Sequence, residues 1–410
     1  MFKKAKGTQD YLPEDQAVQN YIFNIFRMLA GRYGFKEVES PAFEDVKLLS
    51  KKSGDENTQQ IFRLEKKGDE DLGLRFDLTV PLTRMFVEQE KSLPKPVKWS
   101  YATRMWRYER PQAGRSREFY QVGVELFGAD DPRADTEVIN LILDIFQTLG
   151  FNENDIELRL NNRKLLEGLL LEEVLPNKIT EVIRIIDKKS KLPKDVYLEE
   201  LKKIGIRDPN KLDQLLEITL FERLENIDKN ALATEGFNEL KAIWPLLQKK
   251  FVTLSLSTAR GLDYYSGTVF EVFDKSGKFR SLCGGGRYDD MVEAFGSKSC
   301  ATGFSIGLST LTLLLKDKKK LPELDLGVDY YVAPVKEFEK DAYDLVAQLR
   351  SKYSVETDLS GRNLGNQIKY ANTIGAKNLI VFGEDEKKSG KVKVKNLATG
   401  KEEEKNIKEL

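Results

Sequence analysis

The stretch Arg104–Gly128, RMWRYERPQAGRSREFYQVGVELFG, limits what this chain can fold into more than any other. It carries five arginines within fourteen residues, Arg104, Arg107, Arg110, Arg115 and Arg117, interleaved with Trp106, Tyr108, Phe119 and Tyr120. Alternation of charged and apolar residues on both flanks predicts two strands, Val97–Arg110 and Glu118–Phe127, closed by a loop holding Pro111, Ala113 and Gly114. In the second strand a period of two sends Tyr120, Val122, Val124 and Leu126 to one face and Gln121, Gly123 and Glu125 to the other. A face of Gln, Gly and Glu beside an arginine cluster reads as a pocket wall, with the glycine leaving open space. Guanidinium forks grip phosphate oxygens two at a time and stack on flat rings, so the hairpin suits a polyphosphate bearing a base. A solvated basic hairpin with core aromatics is the plain alternative, but it leaves Glu109, Glu118, Gln121 and Glu125 unexplained.

Composition narrows the class. With 410 residues, 40% hydrophobic and 32% charged, the chain is long enough for two or three domains with sizeable cores. No apolar run approaches the ~20 residues of a membrane helix, and MFKKAKGTQD lacks the apolar centre of a secretion signal. Cys283 and Cys300 offer neither a disulfide framework nor metal-ligand spacing, which fits a reducing cytoplasm. The 66 basic and 66 acidic residues cancel, so any RNA contact must use local patches. Histidine is absent altogether, where typical usage of roughly 2% would give about eight. That removes an imidazole general base, a Ser-His-Asp triad and His-ligated zinc, and with them several hydrolase classes.

Arg104–Gly128 resembles the second signature motif of class II aminoacyl-tRNA synthetases, in the form used by histidyl-tRNA synthetases. Other stretches agree with that family in order. The helical stripe over 14–29, then Gly34, a predicted strand Phe35–Glu39 and Pro41, is similar to motif 1, whose helix–strand pair builds a homodimer interface. In DLGLRFDLTVPLTRM (71–85), alternation predicts a strand with Arg75, Asp77 and Thr79 on a polar face. The resemblance places Asp77 and Thr79 beside the ammonium of bound histidine, for which a carboxylate and a hydroxyl are suitable partners. STARGLDYYSGTVFEVF (257–273) closely matches the histidine-specific motif, and SLCGGGRYDD (281–290) supplies a triple glycine where backbone must approach a ligand. One stretch departs from the pattern. TGFSIGLSTLTL (302–313) stands where motif 3 usually ends Gly-Leu-Glu-Arg, and Ser309 and Thr310 replace the last two residues, so the motif's arginine is missing.

The resemblance implies an α+β fold: a class II synthetase antiparallel sheet flanked by helices, with a helical insertion and a C-terminal α/β anticodon-binding domain. The expected boundaries are 1–165 and 251–318 for the two parts of the catalytic domain, 166–250 for the insertion and 325–410 for the last domain. Helical periodicity over Leu169–Lys250, the charged linker Lys316–Leu324 and alternating strand and helix patterns beyond it support this division. The implied activity is a histidine–tRNA ligase using ATP, with Mg²⁺ carried by the nucleotide and no resident metal. Arg107 and Arg260 would flank the α-phosphate as catalytic residues. Arg117 would address the distal phosphates, Glu109 would join the ATP site and Phe119 would stack on adenine. Gln121 and Asp77 would hold the ammonium. Glu125 and Tyr264, with Tyr265 beside them, would take the two imidazole nitrogens and penalise any amino acid unable to satisfy both. Arg362, Lys369 and Lys377 are the candidate contacts to tRNA(His) phosphates. Two other classes stay open at this point: a non-catalytic histidine-sensing regulatory subunit of histidine biosynthesis, and an RNA-binding module within a regulatory protein. Sensors of that kind typically lack the anticodon domain and the hairpin arginines, both present here.

Overall fold

The structure, a computed structural model, describes residues 2–51, 58–66, 68–189, 192–259 and 264–410. Residues 260–263, and with them the candidate Arg260, lie outside the described residues. The chain divides into two compact units, one of residues 1–11 and 18–321, the other of 12–17 and 322–410.

In the larger unit, β1 (Lys36–Glu37), β4 (Val97–Trp106), β5 (Glu118–Phe127), β6 (Ile156–Asn162), β7 (Val252–Leu254), β8 (Thr268–Asp274), β9 (Cys283–Arg287) and β10 (Ala301–Gly307) form one sheet. Their order across it is β1-β4-β5-β10-β9-β8-β6-β7. Every internal pairing is antiparallel, and only the outer pairs β1/β4 and β6/β7 are parallel. A separate two-stranded sheet pairs β2 (Phe43–Asp45) with β3 (Leu72–Leu74).

Residue alternation assigns the two faces of the main sheet. Val122, Val124, Phe304 and Ile306 are buried and face the helix Arg133–Thr148, which packs against β5 and β10. That helix carries Val138, Ile139, Leu141, Ile142, Leu143 and Phe146, all fully buried. Gln121, Gly123 and Glu125 take the other face of the sheet, opposite Gly307, Ser305 and Gly303 of β10. The helices from Arg163–Leu171 to Ala231–Ile243 interrupt the sheet between β6 and β7. In this insertion Phe221 stacks on Phe237 and Trp244, with centroids 5.2 and 5.3 Å away.

Two local expectations changed. The first hairpin strand ends at Trp106 rather than Arg110, because Arg107 N–H turns to the carbonyl of Arg117 and Tyr108 N–H to that of Gln60. The polar-faced strand through Asp77 and Thr79 is instead the start of a helix, Thr79–Gln89. The Asp77 carboxylate accepts from the backbone N–H groups of Thr79 and Val80, and Pro81 fits the first turn, where its missing N–H costs nothing. Local start signals outweighed alternation there.

In the smaller unit, β11 (Tyr330–Pro334), β12 (Val355–Thr357), β13 (Asn378–Phe382), β14 (Lys391–Asn396) and β15 (Glu402–Asn406) form a sheet in the order β12-β11-β13-β14-β15. β11 is parallel to both neighbours, joined through the helices Glu339–Leu349 and Leu364–Thr373, and the last two strands add antiparallel.

Candidate active site

Small residues floor a cavity on the polar face of the main sheet. Register sets Gly303 between Glu125 and Gly286, and Ser305 between Gly123 and Gly284. The absence of side chains is required here: a Cβ on Gly303 would stand 1.8 Å from Glu125 Oε2, and one on Gly123 would stand 2.4 Å from the Tyr101 hydroxyl. Asp77, Thr79, Tyr101, Arg107, Glu125, Tyr264, Tyr265 and Tyr288 make the walls.

Glu125 is the centre of this arrangement, only 2% exposed. Thr79 Oγ1 donates to its Oε1 at 2.9 Å and the Tyr288 hydroxyl to its Oε2 at 2.5 Å. Burial pushes the carboxyl up to about 8, against the pull of those two hydrogen bonds, and the nearby Asp77 adds to the rise. Burial also raises the Tyr288 and Tyr101 hydroxyls well above the ordinary phenol value, with Glu125 reinforcing both. A carboxyl of this kind can donate or accept near neutral pH, as a ring with one N–H and one bare nitrogen demands. Tyr264 stands beside it, 4.7 Å from Tyr265 and 6.0 Å from Tyr288 between ring centroids.

Asp77 and Arg107 line the same cavity. Burial raises the Asp77 carboxyl, while Arg107 and the helix-start N–H groups hold the rise back. Arg107 Nε donates to the Phe76 carbonyl at 3.0 Å, and its guanidinium lies 5.2 Å from the Phe119 ring centroid. Burial lowers the Arg107 value and Asp77 opposes that.

The remaining candidates lie around this cavity. Gln121 is buried on the same face as Glu125, and its Oε1 has no hydrogen-bond partner among the described residues. Phe119 is 9% exposed and packs in the core. Glu109 pairs with Arg115 at 2.9 Å, while Arg117 donates to the Glu109 carbonyl and lies 4.1 Å from the Tyr108 ring centroid. In the smaller unit, Arg362 pairs with Asp358 at 2.8 Å and covers the Tyr370 ring, and Lys377 is held by Asp325 and Asp329. Lys369 is exposed.

Sequence reasoning missed Tyr101, Tyr288, Gly303 and Ser305. The alternation Gly303-x-Ser305-x-Gly307 was a legible sign of an open strand face, but no local pattern marks Tyr101 or Tyr288 as neighbours of Glu125.

A family model described as histidyl-tRNA synthetase matches residues 7–311, and one described as an anticodon binding domain matches 329–410. The chain belongs to the histidyl-tRNA synthetase family. A relative from Halobacterium salinarum called histidine–tRNA ligase is 36% identical over 416 residues, covering 98% of this chain and 95% of its own length. One of the same name from Pyrococcus horikoshii is 36% identical over 417 residues, covering 98% and 96%. The crystal structure of histidyl-tRNA synthetase from Nostoc superposes with a TM-score of 0.84 at 27% identity, covering 100% of this chain and 98% of that one. This family member therefore has the α+β fold of the class, with its C-terminal anticodon-binding domain.

Proposed function

We infer that this chain is a histidine–tRNA ligase whose adenylation site is the glycine-floored cavity. The observation that carries the reading is Glu125, a buried carboxyl fixed by two hydroxyls in a space that also holds Asp77 and Arg107. Glu125 and Tyr264 take the imidazole, and Asp77 takes the ammonium, with Thr79 and Tyr265 framing the pair. Gln121 joins the ammonium through its side-chain oxygen. Arg107 neutralises the α-phosphate, helped by Arg260. Arg117 and Glu109 order the phosphates and the hairpin loop, and Phe119 supports the adenine.

In the first step a histidine carboxylate oxygen bonds to the α-phosphorus and the bond to the β-phosphate oxygen breaks, releasing pyrophosphate. In the second, the terminal ribose hydroxyl of tRNA(His) attacks the acyl carbon, its proton leaves and AMP departs. Mg²⁺ enters as part of the ATP substrate. Such chemistry needs positioning and charge neutralisation more than covalent help from side chains.

The C-terminal unit meets the tRNA through Lys369 and Arg362. Helix Pro13–Arg32 and edge strand β1 form the contact of a homodimer. Among the described residues no helix is long and apolar enough to cross a membrane. The likeness to histidine–tRNA ligases supports a place in the cytoplasm. The sensor reading has no observation in its favour beyond the absent motif 3 arginine.

Histidine-dependent ATP–pyrophosphate exchange tests the assignment. Exchange with histidine alone among the amino acids is expected, followed by charging of tRNA(His). Histidine binding without exchange would refute the ligase and favour the sensor.

A further inference from the structure

Antiparallel pairing brings three segments to one end of the main sheet: the hairpin loop after Trp106, the helix start after Gly307 and the segment entering Cys283. The helix start carries Ser309 and Thr310 in place of a cation. The Thr310 hydroxyl donates to the Gly114 carbonyl at 3.3 Å, so it leans directly on the hairpin loop. From the third segment Arg280 reaches the same loop, and its Nη2 donates to Gln112 Oε1 at 3.2 Å.

The charges around this loop are unequal in their commitments. Arg104 is paired with Glu118 and Arg115 with Glu109, while Arg117 lies against Tyr108. Lys278, two residues before Arg280, is bound to Asp317. Arg280 is exposed, and its hydrogen bond to Gln112 goes to a neutral amide that can be exchanged for a phosphate oxygen without breaking an ion pair. An extended guanidinium of this kind, hinged on the loop, is suited to bidentate capture of an anion.

We propose that Arg280 is a further phosphate-binding residue of this site, gripping the β- and γ-phosphate oxygens of ATP and supplying the positive charge that Ser309 and Thr310 lack. The assignment rests on that part of the proposed function which makes the cavity an ATP site. It adds a cation that stabilises the departing pyrophosphate from outside the hairpin.

Isothermal titration of ATP and of AMP into the full chain, alongside pyrophosphate exchange, tests it. Arg280→Ala is expected to weaken ATP roughly 10-fold or more while AMP stays within about twofold, since AMP has no distal phosphates; this range follows from losing a hydrogen-bonded charge. Arg280→Lys should fall between, and Lys278→Ala should match the unaltered chain. Unchanged ATP binding in Arg280→Ala, or equal weakening of ATP and AMP, overturns the assignment. If the unaltered chain binds ATP in the Arg280-dependent way but gives no exchange, the ligase reading fails and the assignment stands. If it does not bind ATP, both fall.

Discussion

Replacing Glu125 by Gln separates what this side chain does for recognition from what it costs the fold. The carboxyl titrates at about 8 in the folded chain against 4.5 for an ordinary glutamate, because burial disfavours its charge. A group raised in this way contributes stability that is fully present below 4.5 and is lost as pH rises through 8. At pH 7 folding must hold a proton that the unfolded chain has released, a cost of roughly 3 kcal/mol; above pH 9 it levels near roughly 5 kcal/mol. Glutamine keeps the shape, can still accept from Thr79, and never ionises. Urea unfolding without ligands, read by fluorescence of Trp99 and Trp106 on β4 and Trp244 in the insertion, measures the difference between variant and unaltered chain. That difference is expected to grow in favour of Glu125→Gln from pH 5 to pH 9 by several kcal/mol. A flat difference over that range would refute the argument, since it would mean the carboxyl is ionised in the fold at no cost. The same variant should lose roughly 10- to 100-fold in histidine activation, because an amide cannot exchange a proton with the substrate ring as the carboxyl can. Stability gained where function is lost marks a residue kept for recognition.

Two further outcomes follow from the same contacts. Tyr288→Phe removes the hydrogen bond to Glu125 Oε2 that favours the ionised carboxyl, so the alkaline limb of histidine activation should move to higher pH, with kcat/KM for histidine down roughly 10-fold and KM for ATP unchanged; an unmoved pH profile would contradict it. Gly303→Ala pushes a methyl into Glu125 and to within 2.5 Å of the Val124 carbonyl, and should cost roughly 1–3 kcal/mol in denaturant unfolding together with histidine binding in titration. Normal histidine affinity in that variant would mean the floor is less tightly built than its register implies.

Sequence alone determined whatever depends on neighbours a few residues apart. The hairpin, the polar face of Gln121, Gly123 and Glu125, the triple glycine and the helical character of the insertion all follow from periods of 2 and 3.6 and from residues with special backbone freedom. Motif resemblance added the family and named Asp77, Thr79, Glu125, Tyr264, Tyr265 and Arg107, which the structure gathers around one cavity. Alternation misled at 74–79 because Asp77 and Pro81 are also helix-start residues, and two local signals competed on the same stretch.

Tertiary structure decided what depends on register between strands far apart in the chain. Tyr288 meets Glu125 across 163 positions, and Arg280 meets Gln112 across 168. Gly303 opposes Glu125 only because β10 runs antiparallel to β5 in one register, and a slip of one residue would set Phe304 opposite Glu125 instead. The raised carboxyl of Glu125 has the same origin: its charge is disfavoured by the walls that close around it, and those walls come from separate segments of the chain.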